Sequence, residues 1–126
     1  MGYVYADIEL ANPRDVNLES ITVKALVDTG SLMLCIPEHI KLQLNLEETE
    51  KREVTTADGK KHLVEYVGPI TVKFEKRTCY VGGLVLGDQV LLGAVPMEDM
   101  DLVVTPSTRT LIVNPESPNY PHALVK

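Results

Sequence analysis

The stretch Ile21-Thr22-Val23-Lys24-Ala25-Leu26-Val27-Asp28-Thr29-Gly30-Ser31 changes its pattern part-way along. Ile21, Val23, Ala25 and Val27 alternate with Thr22 and Lys24, the period of two that marks a half-buried β-strand. At Leu26 the second face turns apolar as well, so the strand is expected to become fully buried as it reaches Asp28. It then enters a tight, glycine-containing loop. A buried, unpaired carboxylate costs several kcal/mol, so an acid in that position must be neutralised, hydrogen-bonded by the loop or used chemically. Gly30 allows backbone amides to turn toward it, and the Thr29 and Ser31 hydroxyls are available donors.

Working outward, Tyr3 to Leu10 and Ser20 to Val27 read as two strands of an opening hairpin around Asn12-Pro13-Arg14-Asp15. Leu32 to Ile36 is a further apolar run. Pro37-Glu38-His39-Ile40-Lys41-Leu42 predicts one short helix, with proline at a first helical position and an early acid. The charged stretch Glu47 to Arg52 must be solvated. It leads into a hairpin around Ala57-Asp58-Gly59, because Asp-Gly between β-prone flanks is a strong hairpin signal. Ile70 to Phe74, Thr78 to Leu86, Gln89 to Leu92, Leu102 to Val104 and Thr110 to Val113 supply the remaining strands. Gly82-Gly83 and Gly87-Asp88 are expected at bulges or bends, and Met97 to Asp101 at a turn or one helical turn. Seven or more short strands at intervals of about 8–12 residues make the fold class all-β, a small closed barrel or compressed sandwich.

The 126 residues suffice for one domain, expected over residues 1–113, followed by an extended proline-rich tail, 114–126. With 44% hydrophobic and 24% charged residues the chain should fold, and with no tryptophan and one phenylalanine its core must rest on Val, Leu and Ile. The net charge of −6, with scattered Lys and Arg, argues against a nucleic-acid partner, which needs a concentrated basic face. No window approaches the roughly 18 apolar residues of a membrane span, and Met1 to Asp7 lack the basic and apolar regions of a signal peptide, so the expected location is cytoplasmic. Met1-Gly2 does not open a myristoylation site, since the sixth position holds Ala6. Cys35 and Cys79 are too far apart for a zinc or redox pair and are expected as buried free thiols; His39, His62 and His122 are dispersed. No metal and no other cofactor is expected.

Leu26-Val27-Asp28-Thr29-Gly30-Ser31 resembles the active-site signature of aspartic peptidases, and the chain resembles their small, single-domain, retropepsin-like (retroviral-type) members. The tripeptide alone is weak, since chance supplies it in roughly a few per cent of chains this long. Three further matches strengthen it. The Ala57-Asp58-Gly59 hairpin falls where the family carries its flap, Val90-Leu91-Leu92-Gly93 matches a second apolar-apolar-Gly element, and Leu34-Cys35-Ile36-Pro37 matches the strand and turn after the active-site loop. The likeness covers about residues 20 to 113. It implies a retropepsin-like barrel and an aspartic-type endopeptidase whose site is split between two copies of the chain, a homodimer acting on a polypeptide. Asp28 would be catalytic. Thr29 would brace the two loops across the dimer, Gly30 would allow the turn, and Ser31 would bond the outer carboxylate oxygen. Leu92 and Gly93 would support the loop from behind, and Ala57, Asp58 and Gly59 would form the flap tip. The resemblance lapses at Ala94-Val95-Pro96, where many relatives carry a large residue followed by Asp or Asn, and in the tail, which is unlike the apolar terminal strand of retroviral dimers.

Two other readings remain open from the residues alone. One is a retropepsin-like protein-binding or dimerisation module with little catalysis. The other is an unrelated small barrel in which Asp28-Thr29-Gly30 is only a turn, since all three residue types favour turns.

Overall fold

The computed structural model describes residues 3–126, so the reading of Met1-Gly2 lies outside the described residues. Strands β1 (Val4–Ala11) and β2 (Ile21–Val27) form the opening hairpin, with Val4 opposite Val27 and Leu10 opposite Ile21. There follow β3 (Leu34–Ile36), helix α1 (Glu38–Gln43), β4 (Glu47–Thr55), β5 (Lys61–Phe74), β6 (Arg77–Val85) and the two-residue β7 (Leu91–Leu92). Helix α2 (Ala94–Asp99) and the hairpin of β8 (Leu102–Thr105) and β9 (Thr110–Val113) complete the order. Seven strands make one sheet in the order β1-β2-β7-β3-β6-β5-β4, and β8 pairs only with β9.

The sheet curls until β1 meets β5, Glu9 to Ala11 lying opposite Lys73 to Thr71. The barrel expected as closed is therefore joined along three residue pairs and open beyond them. The cause is the length of β5. Its first half gives one edge to β4, Lys61 to Gly68 opposite Thr55 to Glu47, which leaves only Thr71 to Lys73 for β1. Gly68-Pro69 does not end the strand; it is absorbed by a register shift between Val67 and Ile70. Gly82-Gly83 lies inside β6 at the irregularity expected there, opposite this shift, with Gly83 facing Val67 and Val81 facing Ile70, and the Tyr66 ring fills the space that a Cβ on Gly82 would need, 2.1 Å away.

The charged run from Glu47 is a strand, not merely solvated loop. As the outermost strand, β4 can carry Glu47, Glu48, Glu50 and Lys51 outward, and charge on an edge opposes pairing with other chains, while Arg52 is half-buried over the Tyr66 ring. Two short helices form, the second beginning at Ala94, ahead of the turn or helical turn expected over Met97 to Asp101. In α2 Pro96 sits in the first turn, where its missing N–H has no intrahelical partner to lose. Among the described residues no helix is long and apolar enough to cross a membrane.

The main core gathers Ile8, Leu10, Leu34, Ile36, Leu44, Ile70, Val72, Leu92 and Met100, all fully buried. Beside it Arg77, 4% exposed, donates to the Met100 carbonyl (2.9 Å), the Asp101 carbonyl (3.4 Å) and the Ser117 carbonyl. Asp101 accepts from Ser117 Oγ (2.5 Å), the His122 N–H (2.9 Å) and Asn114 Nδ2 (3.0 Å), so the tail is tied to the barrel as far as His122. These donors, Ser117 first, hold the Asp101 carboxyl down to about 2.

Two outcomes follow for this knot. Arg77→Met should destabilise the fold by about 1–3 kcal/mol in denaturant melts, by leaving buried carbonyls without a donor. Asp101 is depressed in the folded state, so its contribution is present above the unfolded value of 3.8 and disappears as the pH falls through about 2. The difference in melting temperature between wild type and Asp101→Asn should therefore be largest above that window and vanish below it. Asn suits the left-handed backbone at this position, φ 57°.

Candidate active site

The loop after β2 is positioned by β7. Leu26 N–H donates to the Val90 carbonyl (2.9 Å) and Asp28 N–H to the Leu92 carbonyl (3.0 Å), continuing the parallel pairing of Leu26 with Leu91 and Val27 with Leu92. On its other side β7 meets β3, Cys35 opposite Leu91. The chain around Asp28 is thus fixed by backbone bonds at the end of β2. Within the loop Ser31 N–H donates to the Asp28 carbonyl (3.1 Å), and Gly30 N–H donates to Asp28 Oδ1 (3.0 Å). A backbone amide is aimed at the carboxylate, which lowers the cost of holding its charge at the end of an apolar strand.

Gly93 closes the loop from behind. Ala94 N–H donates to the Ser31 carbonyl and Val95 N–H to the Leu32 carbonyl, both at 2.8 Å. A Cβ on Gly93 would lie 2.3 Å from the Met33 carbonyl oxygen and 2.8 Å from the Leu32 carbonyl carbon. Both are backbone atoms, so no side-chain adjustment could relieve the clash. Leu92 beside it is fully buried in the core.

Two details differ from the expectation. Leu26, Val27 and Asp28 are half-buried, where full burial was expected, because in the single chain nothing covers the outer side of the loop: Thr29 and Gly30 are exposed and Leu32 is 65% exposed. The Ser31 hydroxyl lies 3.5 Å from the Met33 carbonyl, at the long limit of a hydrogen bond, instead of bonding the Asp28 carboxylate.

Ala57, Asp58 and Gly59 form the tip of the β4–β5 hairpin. Thr56 N–H bonds to the Lys60 carbonyl and Gly59 N–H to the Thr56 carbonyl, both at 2.9 Å, and Gly59 takes φ +83°. The Asp-Gly pair therefore serves a three-residue loop with glycine in the left-handed position. Asp58 Oδ1 accepts from Thr56 Oγ1 (2.6 Å) and Lys60 N–H (3.0 Å), which draws its carboxyl below the ordinary range.

Between the hairpin and the Asp28 loop lies a cavity of about 370 Å³. Its walls include Gly30 and Ser31 from the loop and Thr55 and Thr56 from the hairpin, but not the tip residues 57–59. Met33, Cys35, Arg52, Val54, Leu84 and Leu86 also line it, and reading the sequence did not single them out as site residues. Apolar alternation marks most of them as strand residues. Only the folding of β3, β4 and β6 around one space shows that they share it.

A profile of the aspartyl protease family matches residues 15–117. The fold is similar to a retropepsin-like aspartic protease from Rickettsia conorii, at 21% identity and TM-score 0.55, over 82% of this chain and 77% of that one. It is also similar to the simian foamy virus (mac) protease, at 21% identity and TM-score 0.50, over 74% of this chain and 90% of the viral one. No curated protein matches the chain by sequence. With most of its length inside that profile, and its curled sheet shared with those two structures, the chain belongs to the aspartyl protease family and has the retropepsin-like fold.

Proposed function

We propose that this chain is an aspartic endopeptidase that works as a homodimer, each copy contributing Asp28 to a pair of carboxylates that activates water against a peptide bond. The observation that carries the reading is the Asp28 carboxylate itself. It stands half-buried at the end of a pinned strand, bonded by the Gly30 amide, in a loop that walls a cavity beneath a hairpin.

One such carboxylate is insufficient for the chemistry. The attacking water must lose a proton to an ionised carboxylate while the scissile carbonyl is polarised by a protonated one. Two carboxylates about 3 Å apart, at an effective dielectric near 20, repel by roughly 5 kcal/mol, so a pair of this kind shares one proton, as paired aspartates in this class of enzyme do. The chain holds a single Asp-Thr-Gly, and a two-fold axis through the loop supplies the second. The exposed face there suits a second copy: Leu32, 65% exposed, is tied to Val95, 37% exposed, by the Val95 N–H to Leu32 carbonyl bond.

In this reading Thr29 braces the paired loops, Ser31, Leu92 and Gly93 hold them in place, and Ala57, Asp58 and Gly59 close over an extended polypeptide to exclude water. No cofactor takes part. The two buried free thiols, Cys35 and Cys79, suit the reducing cytoplasm, where we place the protein.

Three measurements test this. Wild type and Asp28→Asn are compared on a mixed peptide library from about pH 4 to 7, so that mildly acidic conditions, where paired aspartates of this class can share a proton, are sampled. The expected result is cut sites that disappear entirely in the variant; identical profiles would leave a protein-binding module in its place. Activity per chain should rise with protein concentration in the micromolar range and then level off, as dimer assembly requires; a flat response would refute the shared site. Gly93→Ala should cost about 1–3 kcal/mol of stability through overpacking against backbone, with loss of cleavage; a variant as stable and active as wild type would remove Gly93 from the support of the loop.

A further inference from the structure

Between the chain after β9 and the β5–β6 turn lies a second cavity, about 530 Å³, which shares no residue with the one beneath the β4–β5 hairpin. It is well inside the roughly 300–1,000 Å³ range of ligand pockets. Pro115, Pro118 and Pro121 recur at every third position of the tail, and all three line this space together with Tyr120, which is 81% exposed. Hydrogen bonds from Asn114, Ser117 and His122 to the Asp101 carboxylate hold this stretch against the barrel. Proline has almost no side-chain freedom to lose, so a wall of three prolines and a ring is already set for an apolar group.

The polar side of the cavity contains Arg77. A guanidinium has five N–H groups. Nη1 donates to the Met100 and Asp101 carbonyls and Nη2 to the Ser117 carbonyl, which leaves the Nε hydrogen and one on Nη2 without an acceptor among the described residues. No buried side-chain nitrogen of those residues lacks a partner, so Nε must touch open space although Arg77 is only 4% exposed, and this cavity is the space that Arg77 lines. None of the ion pairs among the described residues involves Arg77. Asp101 is close by, but its carboxylate is occupied by its own donors and makes no bond to the guanidinium. Lys76, exposed in the β5–β6 turn, adds a second positive charge to the wall and Glu75 one negative charge, so the wall carries one positive charge in excess.

We infer that the tail cavity is a binding site for a small monocarboxylate with an apolar ring or chain, its carboxylate on the free edge of Arg77 and its body against Pro115, Pro118, Pro121 and Tyr120. A carboxylate matches a guanidinium edge with two parallel hydrogen bonds, which a neutral group cannot reproduce. One negative charge balances the wall. A phosphate dianion would exceed that balance, face Glu75 and leave the proline wall uncovered. The bound acid contacts the β5–β6 turn and the tail together, so it ties the tail more firmly to the barrel. The site is remote in sequence from Asp28 and holds whether or not the chain cuts peptides.

The test follows the amide resonances and melting temperature of the full chain as 3-phenylpropionate is added, with 3-phenylpropionamide and inorganic phosphate as controls. The acid should shift the amides of Lys76, Arg77, Asn119 and Tyr120 saturably, with Kd in about the millimolar range for so small a molecule, and should raise the melting temperature with concentration. The uncharged amide should bind at least about tenfold more weakly, and phosphate should leave these resonances unmoved. Lys76→Glu, which reverses the excess charge of the wall, should weaken the acid at least about tenfold, and Tyr120→Ala between about twofold and tenfold. Both positions are exposed, so the fold should survive either change. Acetyl-Gly-Gly-Phe separates two sources of the carboxylate: binding as tight as that of the small acid assigns the site to peptide C-termini, and much weaker binding assigns it to free acids. The inference is overturned by the absence of saturable shifts into the tens of millimolar, by equal binding of acid and amide, or by binding that both variants leave unchanged.

Discussion

The crossing of β7 behind the Asp28 loop is the contact on which the rest of the structure depends. Two residues, Leu91 and Leu92, pair with β2 on one side and β3 on the other, joining the segments that precede and follow the loop. The approach is so close that the next residue, Gly93, has the Met33 carbonyl where a Cβ would stand. Neighbouring amides then bond the Ser31 and Leu32 carbonyls, so the loop is held mainly by backbone, and backbone positions depend little on side-chain motion. A carboxylate mounted this way keeps its orientation, as the proposed pairing of Asp28 with a second copy would require.

The second governing feature is the division of β5. Part of one edge serves the barrel through β1 and part carries β4 away from it, so the molecule has a firm body and a hairpin attached to it. The two parts are packed differently. The body holds the large core around Ile8, Leu34, Ile70 and Leu92, whereas the hairpin rests on the smaller layer around Cys35, Val64 and Leu84. Elements with few buried apolar contacts open at lower free energy than the core, which makes the hairpin the readier part to open, as its proposed role over a peptide would require. The Lys41–Glu65 ion pair, 2.7 Å and partly buried, ties the first half of that hairpin's long strand to α1.

At the opposite end from the hairpin, Arg77 and Asp101 gather the chain after β9. A buried guanidinium serving three carbonyls and a carboxylate collecting three donors make a closed polar knot, in which no buried side-chain atom of the described residues lacks a partner. Such a knot confers fixed geometry more than net stability, because desolvation offsets much of the attraction. Its position gives the proline-rich segment a defined course over the barrel instead of an unspecified one.

Much of this protein can be read locally from its sequence. Alternation in β1 and β2 follows from the pleat, the Asp58-Gly59 turn from backbone preference, and the all-β class from repeated short apolar runs; each depends on residues a few positions apart. Asp28-Thr29-Gly30 stood out in the same way, as an acid at the end of an apolar strand. What the sequence could not decide depended on neighbours far along the chain. The charged residues of β4 became a strand because β5 offered an edge, and the Tyr66 ring fills the space that a side chain on Gly82 would need. The cavity wall is the clearest case: Met33, Cys35, Val54, Leu84 and Leu86 look like ordinary strand residues until the sheet curls and sets them around one space. Local preference is written residue by residue, whereas a pocket is a relation between distant segments that exists only once the chain has closed on itself.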